Sequence, residues 1–208
     1  ELREMRSVFN AMKDLKWEDQ SNALVAQDNR KIFFHLRVLS QTYGKKDSQF
    51  FSKKEETFKS IEYFLGRVQL YQSLEQILSE LKEPEVAQLF EAKQRNASLE
   101  LKRGLKDLGI LKNPKDAIQK IEDDFSLYDW GSARKDRKFL LKETLGFARE
   151  LSENIRNDKY DSSDLEEGLH RLRRRLRELI YRIVNLDGLV SLVDESTLSP
   201  GLSQWYEE

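Results

Sequence analysis

Proline occurs at only three positions in 208 residues, Pro84, Pro114 and Pro200, and glycine at only nine. These are the residues that most disrupt a helix interior, so a chain this poor in them can sustain long helices. The apolar pattern agrees. From about residue 20 to 43, Val25, Ile32, Leu36 and Leu39 fall on one stripe at helical spacing, and Gly44 suits the C-terminal cap. A second pattern runs from about Lys53 to Leu81 through Phe58, Ile61, Leu65, Val68, Ile77 and Leu81. Pro84 fits the first turn of a third helix reaching about Leu108, and Asn113-Pro114 opens a fourth. Asp129 to Ser132 reads as a break, after which helix runs from near Lys135 to about Arg156. Residues 157–164 read as a loop whose Ser163 or Asp164 caps a last helix from Leu165 to about Leu186, with Glu166 and Glu167 favouring its macrodipole. The tail from Ser196 to Glu208 reads as irregular. No strand-like alternation of useful length and no sustained heptad appears, so the predicted fold class is all-α, a helical bundle.

Lys and Arg total 36 against 37 Asp and Glu, a formal charge of −1, which excludes a uniformly basic polyanion binder. Any anion site is therefore a local patch. With 38% hydrophobic and 10% aromatic residues, the chain has enough apolar side chain to close a core. The absence of cysteine excludes disulfides, thiol catalysis and Cys-ligated metal. It leaves the compartment open, leaning to the cytoplasm. Two histidines argue against a His-based metal site, and no cofactor is expected. The opening Glu-Leu-Arg-Glu-Met-Arg does not have the pattern of a signal peptide, and no apolar run approaches the roughly 20 residues that span a bilayer.

The most informative segment runs from Leu169 to Arg182. Six arginines fall between positions 171 and 182. On a helix, Leu165, Leu169, Leu172, Leu176, Leu179 and Ile183 form an apolar stripe, expected to face the core. His170, Arg173, Arg174 and Arg177 stand at i, i+3, i+4 and i+7 and share another face, with Tyr181 one turn on. Such a cationic face destabilises the helix unless carboxylates or a bound anion neutralise it. Arginine is the side chain suited to bidentate phosphate binding. Ion pairs to Asp or Glu of another helix are the plainer account of the same pattern.

His170, Arg173, Arg177, Leu179 and Tyr181 resemble the second-half signature of CHAD domains, the conserved-histidine α-helical domains, which reads roughly His-x-x-Arg-Lys-x-x-Lys-Arg-Leu-Arg-Tyr. Arg174 stands at the basic position after the first arginine, while Glu178 and Ile180 replace expected basic residues. An earlier copy of the motif is similar across Gln27 to Arg37: Arg30, His35, Leu36 and Arg37 fit or nearly fit, Gln27 replaces the histidine and Phe34 the central arginine. Leu65-Gly66-Arg67 resembles the family's Leu-Gly segment, with its Arg-Asp pair replaced by Gln69-Leu70. Phe34 and His35 read as core or inter-helix residues.

The resemblance implies one domain over residues 1–208, made of two pseudo-twofold-related four-helix halves, about 1–110 and about 111–208, around a basic groove. It implies non-catalytic binding of inorganic polyphosphate or a similar polyanion by Arg30, Arg37, His170, Arg173, Arg174, Arg177 and Tyr181, with Arg67 a weaker candidate. The alternative is a CHAD-like scaffold with a decayed anion site that docks a protein partner. Catalysis is disfavoured, because no paired His–carboxylate site, cysteine nucleophile or Gly-rich phosphate loop appears. Nucleic acid is disfavoured for want of a stacking platform and a basic charge. A membrane partner is disfavoured because the apolar stripe of the most basic helix is expected to be core.

Overall fold

The computed structural model describes residues 2–12, 15, 17–26, 29–111, 113–161 and 163–186, and every regular element among them is helical. The chain divides into two compact units, Glu1–Asp129 and Trp130–Glu208.

The first unit holds α1 (Leu2–Met12), α2 (Trp17–Ala26), α3 (Arg30–Gly44), α4 (Ser48–Glu80), α5 (Pro84–Asp107) and α6 (Pro114–Leu127). Its spine is α4, 33 residues and so about 50 Å long. Both α3 and α5 pack along it, α2 touches α4 and α5, and α1 lies against α6. Phe33, Leu36, Phe51, Phe58, Leu65 and Leu101 are fully buried between these helices. The end of α6 is held to the start of α4 by aromatic rings: Tyr128 lies 4.6 Å from Phe50 and 4.9 Å from Phe51. Ion pairs add Lys54 to Asp124 at 3.0 Å and Arg6 Nε to Glu122 at 2.8 Å. These contacts put α6 in the first unit, whereas the expected halves met near residue 110.

Side chains at the helix starts satisfy orphan amides. The Asp47 carboxylate accepts from the Phe50 amide at 3.0 Å, and the Asn113 carbonyl from the Asp116 amide at 3.3 Å. Pro84 and Pro114 occupy the first turns of α5 and α6, as the sequence predicts. Gly109, with φ +76°, sits just past α5. Gly44 instead stays helical, and α3 ends in a turn where the Lys46 and Asp47 amides both donate to the Tyr43 carbonyl.

The helix expected over residues 20–43 is divided into α2 and α3. Asn29, buried between them, donates its amide nitrogen back to the Leu24 carbonyl at 3.1 Å, near the end of α2. Gln27, read as standing in for the first motif histidine, lies outside the described residues.

The second unit holds α7 (Ala133–Arg156), a π-helical turn (Leu165–His170) and α8 (Arg171–Val184), with α8 packed on α7. The Ser132 hydroxyl caps α7 at the Lys135 amide, 3.4 Å away. In the π-helical turn the Leu169 amide reaches the Asp164 carbonyl, five residues back, at 3.1 Å. Gly168 is buried against the Asp161 carbonyl so closely that no Cβ fits there.

The stripe expected to be the core face of this helix is not its buried face. Leu169, Leu176 and Ile183 are exposed, and Leu172 and Leu179 are half-buried. Glu178 and Arg182 are buried instead. The side chain of Leu165, those of Glu166 and Glu167, and the tail from Ser196 to Glu208 lie outside the described residues.

Candidate polyanion-binding face

The seam between α7 and α8 explains the inversion. Phe147 of α7 presents its ring to α8, and two guanidinium carbons sit over it, Arg175 at 4.1 Å and Arg182 at 4.4 Å. Glu178 lies between these two arginines along α8. One of its oxygens accepts from Arg182 Nη2 at 3.0 Å, and the other lies 3.3 Å from Arg175 Nη1. Arg175 also reaches Glu150 of α7 at 2.9 Å. Arg182 is only 3% exposed. A guanidinium can be buried this far because an aromatic face and a carboxylate replace water around it.

This seam divides the six arginines of α8. Arg175 and Arg182 belong to the packing. The single glutamate of α8 is committed to them, so it neutralises nothing on the outer face. Arg171, Arg173 and Arg174 are exposed and make no ion pair among the described residues. Arg177, His170 and Tyr181 are half-buried. Helical spacing puts Arg173, Arg174, Arg177 and Tyr181 on one side of α8. His170 closes the π-helical turn at the base of that side. The turn's entry is fixed by Asp161, whose carboxylate accepts the Ser163 hydroxyl at 2.6 Å and the Ser163 amide at 2.8 Å. That hydroxyl first, then the amide, holds the Asp161 carboxyl below the usual carboxylate range.

The first-unit candidates stand differently. Arg30 and Arg37 share a face of α3, but both meet one buried carboxylate of α4. Arg30 Nη2 donates to Glu62 Oε1 at 3.0 Å, and Arg37 Nε lies 3.5 Å from Glu62 Oε2. Arg37 is also 4.6 Å over the buried Phe34 ring. Gly66 lets Arg30 lie flat on α4, since a Cβ there would stand 2.6 Å from the guanidinium carbon. The two cations are thus occupied internally by one acid. Arg67 pairs with Glu100 and lies 5.8 Å and 5.9 Å from the ring centres of Tyr63 and Tyr71. His35 is buried in α3.

Sequence reasoning missed the two carboxylates that organise these clusters, and both left a trace. Glu178 stands at i+3 from Arg175 and i−4 from Arg182, the spacing of intrahelical pairs. Glu62 interrupts the apolar row of Phe58, Ile61 and Leu65, and an acid at a core-facing position needs a cationic partner. Sequence reasoning also missed a cleft of about 530 Å³ between α4, α5 and α6, where Lys53, Lys54 and Lys120 meet Phe50, Phe58 and Ile121. Among the described residues, no group of three or more acidic or histidine side chains is placed to hold a metal, and no helix is long and apolar enough to cross a membrane.

Comparison of the chain with family models, with curated proteins and with solved structures finds no match.

Proposed function

We propose that this chain is a divergent CHAD-like helical protein that binds inorganic polyphosphate or a similar polyanion without covalent chemistry. The site is the outer face of α8, with Arg173 and Arg174 gripping phosphate oxygens, Arg177 and His170 beside them, and Tyr181 supplying a hydroxyl. The observation that carries the reading is the exposure of Arg171, Arg173 and Arg174, which make no ion pair among the described residues, while the one glutamate of α8 is held by Arg175 and Arg182. A linear phosphate chain answers such a row, because each contact releases a counterion. Arg30 and Arg37 contribute less, since Glu62 already answers both.

The test is binding of long-chain polyphosphate at low salt by the parent and by Arg173→Glu/Arg177→Glu. The parent binds, and three or four contacts give log affinity a slope near −2.5 against log salt, by analogy with single-stranded nucleic acids at about 0.7 per contact. The double variant loses binding. A parent that fails to bind, or a variant that binds equally, defeats the proposal.

The second reading is a CHAD-like interaction module whose anion site has decayed. The internal use of Arg30 and Arg37 favours it, as does the exposed apolar side of α8. A parent that ignores polyphosphate at every salt concentration would favour this reading.

A further inference from the structure

The cleft between α4, α5 and α6 lies within the first unit and shares no residue with the arginine face of α8. It arises from the way α6 is propped on α4. At one end the rings of Phe50, Phe125 and Tyr128 pack between the two helices. There Lys54 lies 3.9 Å over Phe50, and its ammonium meets Asp124 at 3.0 Å. These long side chains hold the helices apart. Gly109, with φ +76°, turns the chain after α5, and Leu108 and Ile110 close the third wall. What remains is a cleft of about 530 Å³, the size of pockets that hold small organic ligands.

Its floor and its charged groups differ in what they call for. Phe58 and Ile110 are buried beneath it, and Phe50, Leu108, Ala117 and Ile121 turn apolar surface toward it. Around this floor stand three lysines and two aspartates, one positive charge in excess. Lys54 and Asp124 answer each other. Lys53 of α4 and Lys120 of α6 are exposed, and their ammonium groups make no ion pair among the described residues. Asp107, on the α5 wall, is the remaining acid. An open apolar floor favours a hydrocarbon body, which leaves water by entering. One excess cation favours one negative charge on that body. A cation would add to the imbalance, and a phosphate dianion would reverse it. A polyphosphate chain has nothing to lay on an apolar floor.

We infer that this cleft binds an apolar monocarboxylate of the medium-chain fatty acid class. Its hydrocarbon lies on Phe50, Leu108 and Ile121, and its carboxylate is met by Lys53 and Lys120. Lys54 stays with Asp124 and shapes the cleft rather than its charge. Binding here does not depend on polyphosphate binding.

The test titrates decanoate, kept below its micelle concentration, into the intact chain by calorimetry at neutral pH. Binding is expected to saturate at one decanoate per chain. It weakens about two- to fourfold for each methylene removed, in nonanoate and then octanoate. Decanol, which lacks the charge, binds about fivefold more weakly than decanoate. Lys53→Gln/Lys120→Gln changes two exposed positions and keeps the helix content seen by circular dichroism. It binds decanoate about fivefold more weakly and decanol as the parent does. Ala117→Leu narrows the cleft and weakens both ligands. The Arg173→Glu/Arg177→Glu chain binds decanoate like the parent, whatever it does with polyphosphate. The inference is overturned by uptake that does not saturate, or by decanoate binding that is unchanged in either cleft variant. Loss of decanoate in the α8 variant assigns it to the arginines and overturns the inference too. Tighter binding of decyl phosphate than of decanoate overturns the assignment to a single negative charge.

Discussion

Replacing Glu178 by glutamine keeps the side chain's shape and removes only its charge. Arg182, 3% exposed over Phe147, then loses the Glu178 carboxylate, while Arg175, 26% exposed, keeps Glu150 at 2.9 Å. The two losses differ in size. Breaking a buried pair from one side costs about 3–5 kcal/mol, because the other charge stays buried and uncompensated. The Arg175 share behaves as a surface pair, about 1 kcal/mol or less. Glu178→Gln is therefore expected to destabilise the second unit by about 3–5 kcal/mol, which at 1.4 kcal/mol per decade is at least a hundredfold in its folding equilibrium. Removing both charges tells a different story. In Glu178→Leu/Arg182→Met no ion is stranded, and the expected loss falls to about 1 kcal/mol or less. Urea unfolding followed by circular dichroism measures both variants, and amide exchange across α8 assigns the loss to that helix. A glutamine variant within about 1 kcal/mol of the parent, or a double variant as damaged as the single one, would refute the claim that this seam is held by compensated charge.

Two smaller perturbations test other joints. A Cβ at Gly104 would enter the Phe64 ring, so Gly104→Ala is expected to destabilise by about 1–2 kcal/mol after the helix-propensity gain, and a variant as stable as the parent in urea would show that α5 has room there. The Asp161 carboxyl is depressed, so the contact it makes is fully present above the unfolded carboxylate range and fades as pH falls through the lower folded value. A carboxylate NMR titration should find its midpoint below the usual range, and Ser163→Ala should raise it; no change on removing that hydroxyl would discount the hydrogen bond.

Much of the architecture was legible because its signals are local. Pro84 and Asn113-Pro114 mark the first turns of α5 and α6, so those starts follow from a residue or two each, whereas α4 begins at Ser48 rather than near Lys53 and α7 at Ala133, under caps Asp47 and Ser132 that the apolar pattern does not mark. The division between α2 and α3 was not legible, since the asparagine at its edge looks like a tolerated polar residue until its amide is seen to reach Leu24. The orientation of α8 was hidden for a related reason. Hydropathy ranks leucine above arginine as a core residue, but it takes no account of Phe147, 35 positions before Arg182, which accepts two guanidiniums. The arginines of the last helix were found by spacing. Their division into a packed pair and an exposed group depended on Glu178 and Glu150, one of which lies on a different helix.

The Phe147 seam also bears on how α7 and α8 can move. A contact made of leucines alone can slip by one helical turn, about 5.4 Å, and still find apolar neighbours. Here the same slip would carry Arg175 away from Glu150 and both guanidiniums off the Phe147 ring. Sliding is therefore forbidden while hinging about the ring is not, and the hairpin behaves as a keyed joint with one permitted setting.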